Sequence, residues 1–235
     1  MLSGVSRAPT PRNPVKLYSG PLSLFTAKVR VALDEKAIAY QRIEVGWSLE
    51  QRYLPHHPEV AALNPKAQVP VLVDGDVVVY DSTQIFEYLE ERHPTPPLYP
   101  AGIAERARCR RLEAWADEIV FPQVWSLIDG GFYPTPGNDA AAERRRSACT
   151  ELAQLQLELD KELSGREFLC DRFSVADIGS FIMLSTAATL GAPPAATHGS
   201  LLGWLARVAA RPAVKREIEG MQAYVRGLRP APASA

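Results

Sequence analysis

The sequence predicts a two-part fold, a small α/β part of order βαβ-ββα followed by an all-helical part (α/β + all-α). Before residue 93, short apolar strand-like runs alternate with stretches of helical spacing; after residue 104 only helical spacing remains. Between the two lies His93-Pro94-Thr95-Pro96-Pro97-Leu98-Tyr99-Pro100, which can be neither helix interior nor central strand. The length, 235 residues, suits between one and two domains at about 150 residues each. The division expected is a tail over 1–13, an α/β domain over 14–93, a linker over 94–103, a helical domain over 104–228 and a tail over 229–235. Proline draws these borders: there are 20 in the chain, and they cluster at both ends and in the linker.

Val15 to Ser19 is a short apolar run and reads as the first strand. Phe25, Val29, Ala32 and Leu33 then follow helical spacing over Leu24 to Lys36, and Tyr40 to Val45 reads as a second strand. A strand, a crossover helix and a strand imply a parallel pair. Residues 46–66 are polar and interrupted by Pro55, Pro58 and Pro65, as loops with a short helix would be. Val69 to Val73 and Val77 to Tyr80 flank Asp74-Gly75-Asp76, a hairpin signal because Asp-Gly tolerates positive φ. Asp81-Ser82 opens a helix carrying Ile85, Phe86 and Leu89, with Ser82 the expected cap.

Beyond the linker, a helix from Ala104 to about Ile128 should kink at Pro122. A second runs over Ala140 to Leu163. Ser174-Val175-Ala176-Asp177 forms the acidic variant of a capping box ahead of Ile178, Phe181, Ile182 and Leu184, a folding signal rather than a chemical one. Helices over Leu201–Ala210 and Ala213–Arg226, divided by Pro212, complete the chain.

Composition excludes several classes. The chain is 46% hydrophobic and 23% charged with a net charge of −1, so neither disorder nor a polyanion partner such as nucleic acid is expected. No apolar run approaches the ~20 residues of a membrane span, and Met1 to Arg12 lacks the apolar centre of a secretory signal. The three cysteines are scattered and the four histidines show no ligand spacing, so no metal is expected, and a reducing, cytoplasmic compartment is. Phosphate-binding glycine loops and the common hydrolase motifs are absent.

Three strand-to-helix or loop-to-strand junctions could carry chemistry. Ser23 precedes the first helix. As a plain cap it accepts a backbone N–H; beside a bound thiol at a helix N-terminus, its hydroxyl would donate to sulfur and favour the thiolate. Val69-Pro70 either punctuates strand entry or forms a cis-proline that leaves the preceding backbone free for an extended ligand. Asp81-Ser82 either caps its helix or grips an amino-acid head group, the helix end taking the carboxylate and Asp81 the amine. Leu22, Phe25, Trp125, Phe132 and Tyr133 are candidates for an apolar pocket between the two parts, or for core packing.

Leu17-Tyr18-Ser19-Gly20-Pro21-Leu22-Ser23 leading into Lys28-Val29-Arg30-Val31-Ala32-Leu33, then Asn64-Pro65, Val69-Pro70-Val71-Leu72 and Asp81-Ser82-x-x-Ile85 with Tyr88-Leu89, resembles the glutathione transferase family. Phe173 to Ile178 and Ala210 to Val214 resemble its helical domain, so the likeness runs from about Val15 to Arg226. The resemblance implies a thioredoxin-like first domain that binds glutathione as co-substrate. It places Ser23 on the glutathione sulfur as the catalytic residue, with Ser19 as second candidate. Val69 and Pro70 would meet the cysteinyl part, and Asp81 and Ser82 the γ-glutamyl end. It further implies a transferase acting on a small apolar electrophile, and a homodimer. Serine in place of cysteine disfavours thiol-transferase chemistry, and Leu24 stands where many members have proline. Ser23-Leu24-Phe25 replaces the Ser-Ser-Cys of the isomerase branch, and Tyr18 lies too early to be a tyrosine-type activator.

Overall fold

A computed structural model describes residues 14–132 and 139–228, the side chains of residues 131 and 132 excepted. β1 (Val15–Ser19), α1 (Leu24–Glu35) and β2 (Tyr40–Glu44) form the βαβ unit; β1 and β2 are parallel, with Val15 opposite Tyr40. After the short α2 (Pro58–Leu63), β3 (Val71–Asp74) and β4 (Val77–Tyr80) form the predicted hairpin. Gly75 in its tip has φ +61°, a conformation that most side chains resist. The sheet order is β2-β1-β3-β4 with β3 antiparallel to both neighbours, and α3 (Ser82–Arg92) follows.

The helical part begins with α4 (Ile103–Trp115). It runs through a π-helical segment, Ala116–Val120, into α5 (Phe121–Phe132). The expected single helix with a kink at Pro122 is thus a continuous path whose irregularity precedes the proline. α6 (Asp139–Glu162), α7 (Val175–Thr189), α8 (Gly199–Ala209) and α9 (Pro212–Leu228) complete the part.

α7 is the centre. Eleven of its residues are buried, because it is apolar on nearly every side and is enclosed by α1, α4, α5 and α8. Gly179 allows this: a Cβ there would sit 3.6 Å from Ala116 and 3.7 Å from the Lys28 side chain. Asp177 anchors the helix start. Its Oδ2 accepts the Ser174 amide at 2.9 Å, and its Oδ1 accepts the Leu169 amide at 2.9 Å and the Trp204 indole N–H at 2.8 Å.

The proline-rich segment read as a linker is held in place by hydrogen bonds. The buried Lys36 donates to Glu90 and to the carbonyls of His93 and Pro96, and Glu90 also accepts the amides of Leu98 and Tyr99. One apolar core runs from Leu17, Leu33 and Leu72 of the α/β part through Leu112 and Val120 to Ile182 and Trp204. All three cysteines are free thiols.

Candidate functional site

Strand register brings the three sequence-predicted junctions to one end of the sheet. Tyr18 pairs with Val71, and Val71 with Tyr80. At that end the chain leaves β1 toward Ser23, enters β3 from Val69-Pro70 and leaves β4 into Asp81-Ser82.

Ser23 is partly exposed and caps α1; its Oγ accepts the Thr26 amide at 3.2 Å. The cap uses an oxygen lone pair and leaves the hydroxyl proton free to donate. The first turn of α1 holds no acidic residue, so no side-chain carboxylate offsets the positive helix end. Capping and thiol contact are therefore compatible. Ser19 is fully buried, and its Oγ accepts from Arg30 at 2.6 Å, so it presents no hydroxyl to a ligand. Tyr18 is 4% exposed and donates to Glu59; burial pushes its phenol up to about 12, the opposite of an activating group.

The Val69-Pro70 peptide bond is cis. Val69 precedes the ladder, and neither of its backbone polar groups bonds to another backbone group among the described residues. The sheet thus offers one free pairing position here. Cis bonds at Leu54-Pro55 and Thr95-Pro96 also occur, and nothing in the sequence distinguished them.

At the third junction the cap is Asp81, not Ser82. Asp81 has φ +73° and ψ 130°, and its Oδ1 accepts the Thr83 amide at 3.1 Å. With ψ at 130° Asp81 lies outside the left-handed helical well, a strained conformation at the sharp turn out of β4 that makes Ser82 the first helical residue. The Asp81 side chain is exposed, whereas Ser82 is 3% exposed at the helix end.

Behind this helix end lies a buried ionic cluster. Lys28 is fully buried; its Nζ donates to Glu113 at 2.7 Å and to Asp117 at 2.6 Å, and the Thr83 hydroxyl donates to Glu113 at 3.0 Å. One cation faces two carboxylates. Burial pushes Asp117 up to about 6; Lys28 opposes the rise, and the charges of Glu113 and Asp81 add to it. The π-helical segment carries Asp117. Sequence reasoning missed this cluster, although Lys28 lies three residues from Phe25 on an otherwise apolar helix face.

A cavity of about 500 Å³ opens beside the first of these junctions, where Leu22 and Leu24 flank Ser23, and lies between the β1–α1 turn, the loop after β2, α5, α7 and α9. Leu22 and Trp125 line it as the sequence suggested; Trp47, Tyr53, Ile218 and Met221 line it too. Phe25 does not. It packs edge-on against Phe121 at 4.6 Å, because helical spacing turns it toward α5. The Phe132 side chain and Tyr133 lie outside the described residues. Among the described residues no cluster of potential metal ligands occurs, and no helix is long and apolar enough to cross a membrane.

A thioredoxin-like α/β half packed on an all-helical half defines the class of protein. Residues 17–97 match the family model described as the glutathione S-transferase N-terminal domain. A protein of Coxiella burnetii named stringent starvation protein A homolog is 35% identical over 169 residues, 71% of this chain and 72% of its own. The crystal structure of a glutathione S-transferase from Rhodospirillum rubrum F11 superposes with a TM-score of 0.75 at 30% identity, over 86% of this chain and 91% of that one. A theta class glutathione S-transferase from Xanthomonas axonopodis pv. citri, solved with glutathione bound, gives 0.74 at 29% identity over 88% and 98%. The chain belongs to the glutathione S-transferase family.

Proposed function

We propose that this protein is a glutathione transferase whose site is built from the three junctions above. Glutathione lies across the end of the sheet at Val69 and Pro70, pairing its cysteinyl backbone with that of Val69. Its α-carboxylate meets the α3 helix end at Ser82, and its α-ammonium meets Asp81 with the negative cluster behind. The sulfur lies at the N-terminus of α1, where the Ser23 hydroxyl donates to it. A free thiol titrates near 8.5, so a lowering of one or two units populates the thiolate at neutral pH. An apolar electrophile occupies the cavity, whose size suits a drug-sized ligand. With an aryl halide, the thiolate sulfur bonds to the ring carbon, the carbon–halogen bond breaks, halide leaves and the thiol proton passes to solvent.

The convergence of Ser23, Val69-Pro70 and Asp81-Ser82 on one end of the sheet, with an apolar cavity beside Ser23, carries this reading. Calorimetric titration of glutathione and conjugation of an aryl halide test it. Ser23→Ala should keep binding within a few-fold and lose at least tenfold in kcat/KM near pH 6.5; unchanged turnover removes Ser23 as activator. Asp81→Ala with Ser82→Ala should lose binding.

A second reading, a binding protein of the same fold without transferase activity, accords with the Coxiella relative's name, stringent starvation protein A homolog, which names no enzyme. Glutathione binding without turnover toward any electrophile class, isomerase and reductive substrates included, would favour it. A cytoplasmic role in detoxification and a homodimer accompany the first reading. The half-exposed Val77, Val78 and Tyr80 on edge strand β4 suit a second copy, and sedimentation equilibrium decides the stoichiometry.

A further inference from the structure

Arg30 sits two turns beyond Ser23 on α1 and is 4% exposed. All three of its guanidinium nitrogens are engaged. One terminal nitrogen donates to Ser19 Oγ at 2.6 Å and to the Gly20 carbonyl at 3.2 Å. Nε donates to Glu217 Oε2 at 2.8 Å, and the other terminal nitrogen closes a bidentate pair with Oε1 of the same carboxylate. Tyr40 and Glu44 of β2 face the group at longer range. The Gly20 carbonyl also accepts the Ser23 amide at 3.3 Å, and the Tyr53 side chain presses so closely that a Cβ at Gly20 would come within 2.6 Å of its hydroxyl.

Glu217 belongs to α9, next to Ile218. Ile218, Met221, Gln222 and Val225 form one wall of the cavity, and Leu22 and Leu24, on either side of Ser23, form part of another. A continuous path therefore runs from the cavity wall through Glu217 and Arg30 to the Gly20 carbonyl and the Ser23 amide. Only the planar, forked guanidinium can serve a bidentate carboxylate and two further acceptors at once; an ammonium cannot. A buried pair kept only for stability is commonly replaceable by apolar packing, so this donor pattern points to geometry.

We propose that Arg30 is a positioning residue that ties the Gly20–Ser23 turn to α9. Packing of the second substrate against α9 and placement of the Ser23 hydroxyl on the glutathione sulfur are then one coupled event. This rests on the role given to Ser23 above.

The test uses the full chain with Arg30→Lys and Glu217→Gln, and two measurements. Amide hydrogen exchange over residues 20–26 should accelerate at least tenfold in both variants while α7 exchanges as before. Glu217→Gln is telling because it changes only the distant helix. Thiolate absorbance of bound glutathione should titrate about one pH unit higher in Arg30→Lys, and its lost turnover at pH 6.5 should be largely regained at pH 8.5. A merely structural role would lower the melting temperature and leave that titration in place. Wild-type exchange over 20–26 in both variants overturns the proposal. Absence of bound thiolate in the wild type overturns the role of Ser23 instead, and the exchange data then decide the tie alone. Should Arg30→Lys fail to fold, Glu217→Gln, which keeps the carboxylate's shape, decides.

Discussion

At the scale of single residues, local chemistry was readable where it depends on a junction. Ser23, Pro70 and Asp81 stand out because a hydroxyl, an imino acid and an acid at the ends of strands have few uses. The partner of Lys28 was not readable, since Glu113 lies 85 positions away and Asp117 lies 89 away. Asp117 gives a pH prediction. Unfolded, it titrates near 3.9; folded, it titrates at about 6, so the fold favours its protonated form. That stabilisation is full below about pH 4 and is lost as pH rises through 6. Asp117→Asn, which keeps the neutral form, should exceed the wild type by about 2–3 kcal/mol at pH 7, with the gap closing below pH 4. Urea denaturation of both proteins from pH 4 to 8 measures it, and a constant gap would contradict it. At Gly20, any Cβ meets the Tyr53 hydroxyl at 2.6 Å and its ring at 2.7 Å. Gly20→Ala should cost about 1–3 kcal/mol and weaken ligand binding in the cavity that Tyr53 lines, as thermal melts and calorimetry would report.

At the scale of elements, periodicity and turn chemistry located the strands, the hairpin and most helices, because each needs only nearby residues. The π-helical segment escaped detection: Leu112, Trp115, Ile119 and Val120 fit helical spacing in the sequence, but the wider turn shifts the phase, burying Val120 and leaving Ile119 47% exposed. The fastening of the proline-rich linker was not readable for a different reason. Its composition says linker, but Glu90 and Lys36, which fasten it, lie in two separate helices' reach. Lys36 is 1% exposed and Glu90 7% at the side chain. Glu90→Ala should cost about 3–5 kcal/mol by leaving that ammonium uncompensated. The same change removes the acceptor for Leu98 and Tyr99, so their amides should lose exchange protection. Protection unchanged at those two amides would show that the linker is held by packing alone.

At the scale of the whole molecule, the two parts seen in the sequence share one core, and α7 is buried against α1 as well as against its own helical neighbours. The arrangement places the cavity where the parts meet, so the site depends on both. Thermal unfolding followed by far-ultraviolet dichroism and by calorimetry should coincide in a single transition. Two separated transitions would mean that the linker and core do not couple the parts.

Three of the four tryptophans extend this into optics; the fourth, Trp115, is partly buried against the core away from the cavity lining. Trp204 is fully buried with its indole N–H on Asp177, whereas Trp47 and the 42%-exposed Trp125 line the cavity. Emission should divide accordingly, blue from the first and red from the pair. A molecule entering the cavity would dim only the red component, and unfolding would shift the blue one, so the chain carries separate built-in reporters for occupancy and for integrity.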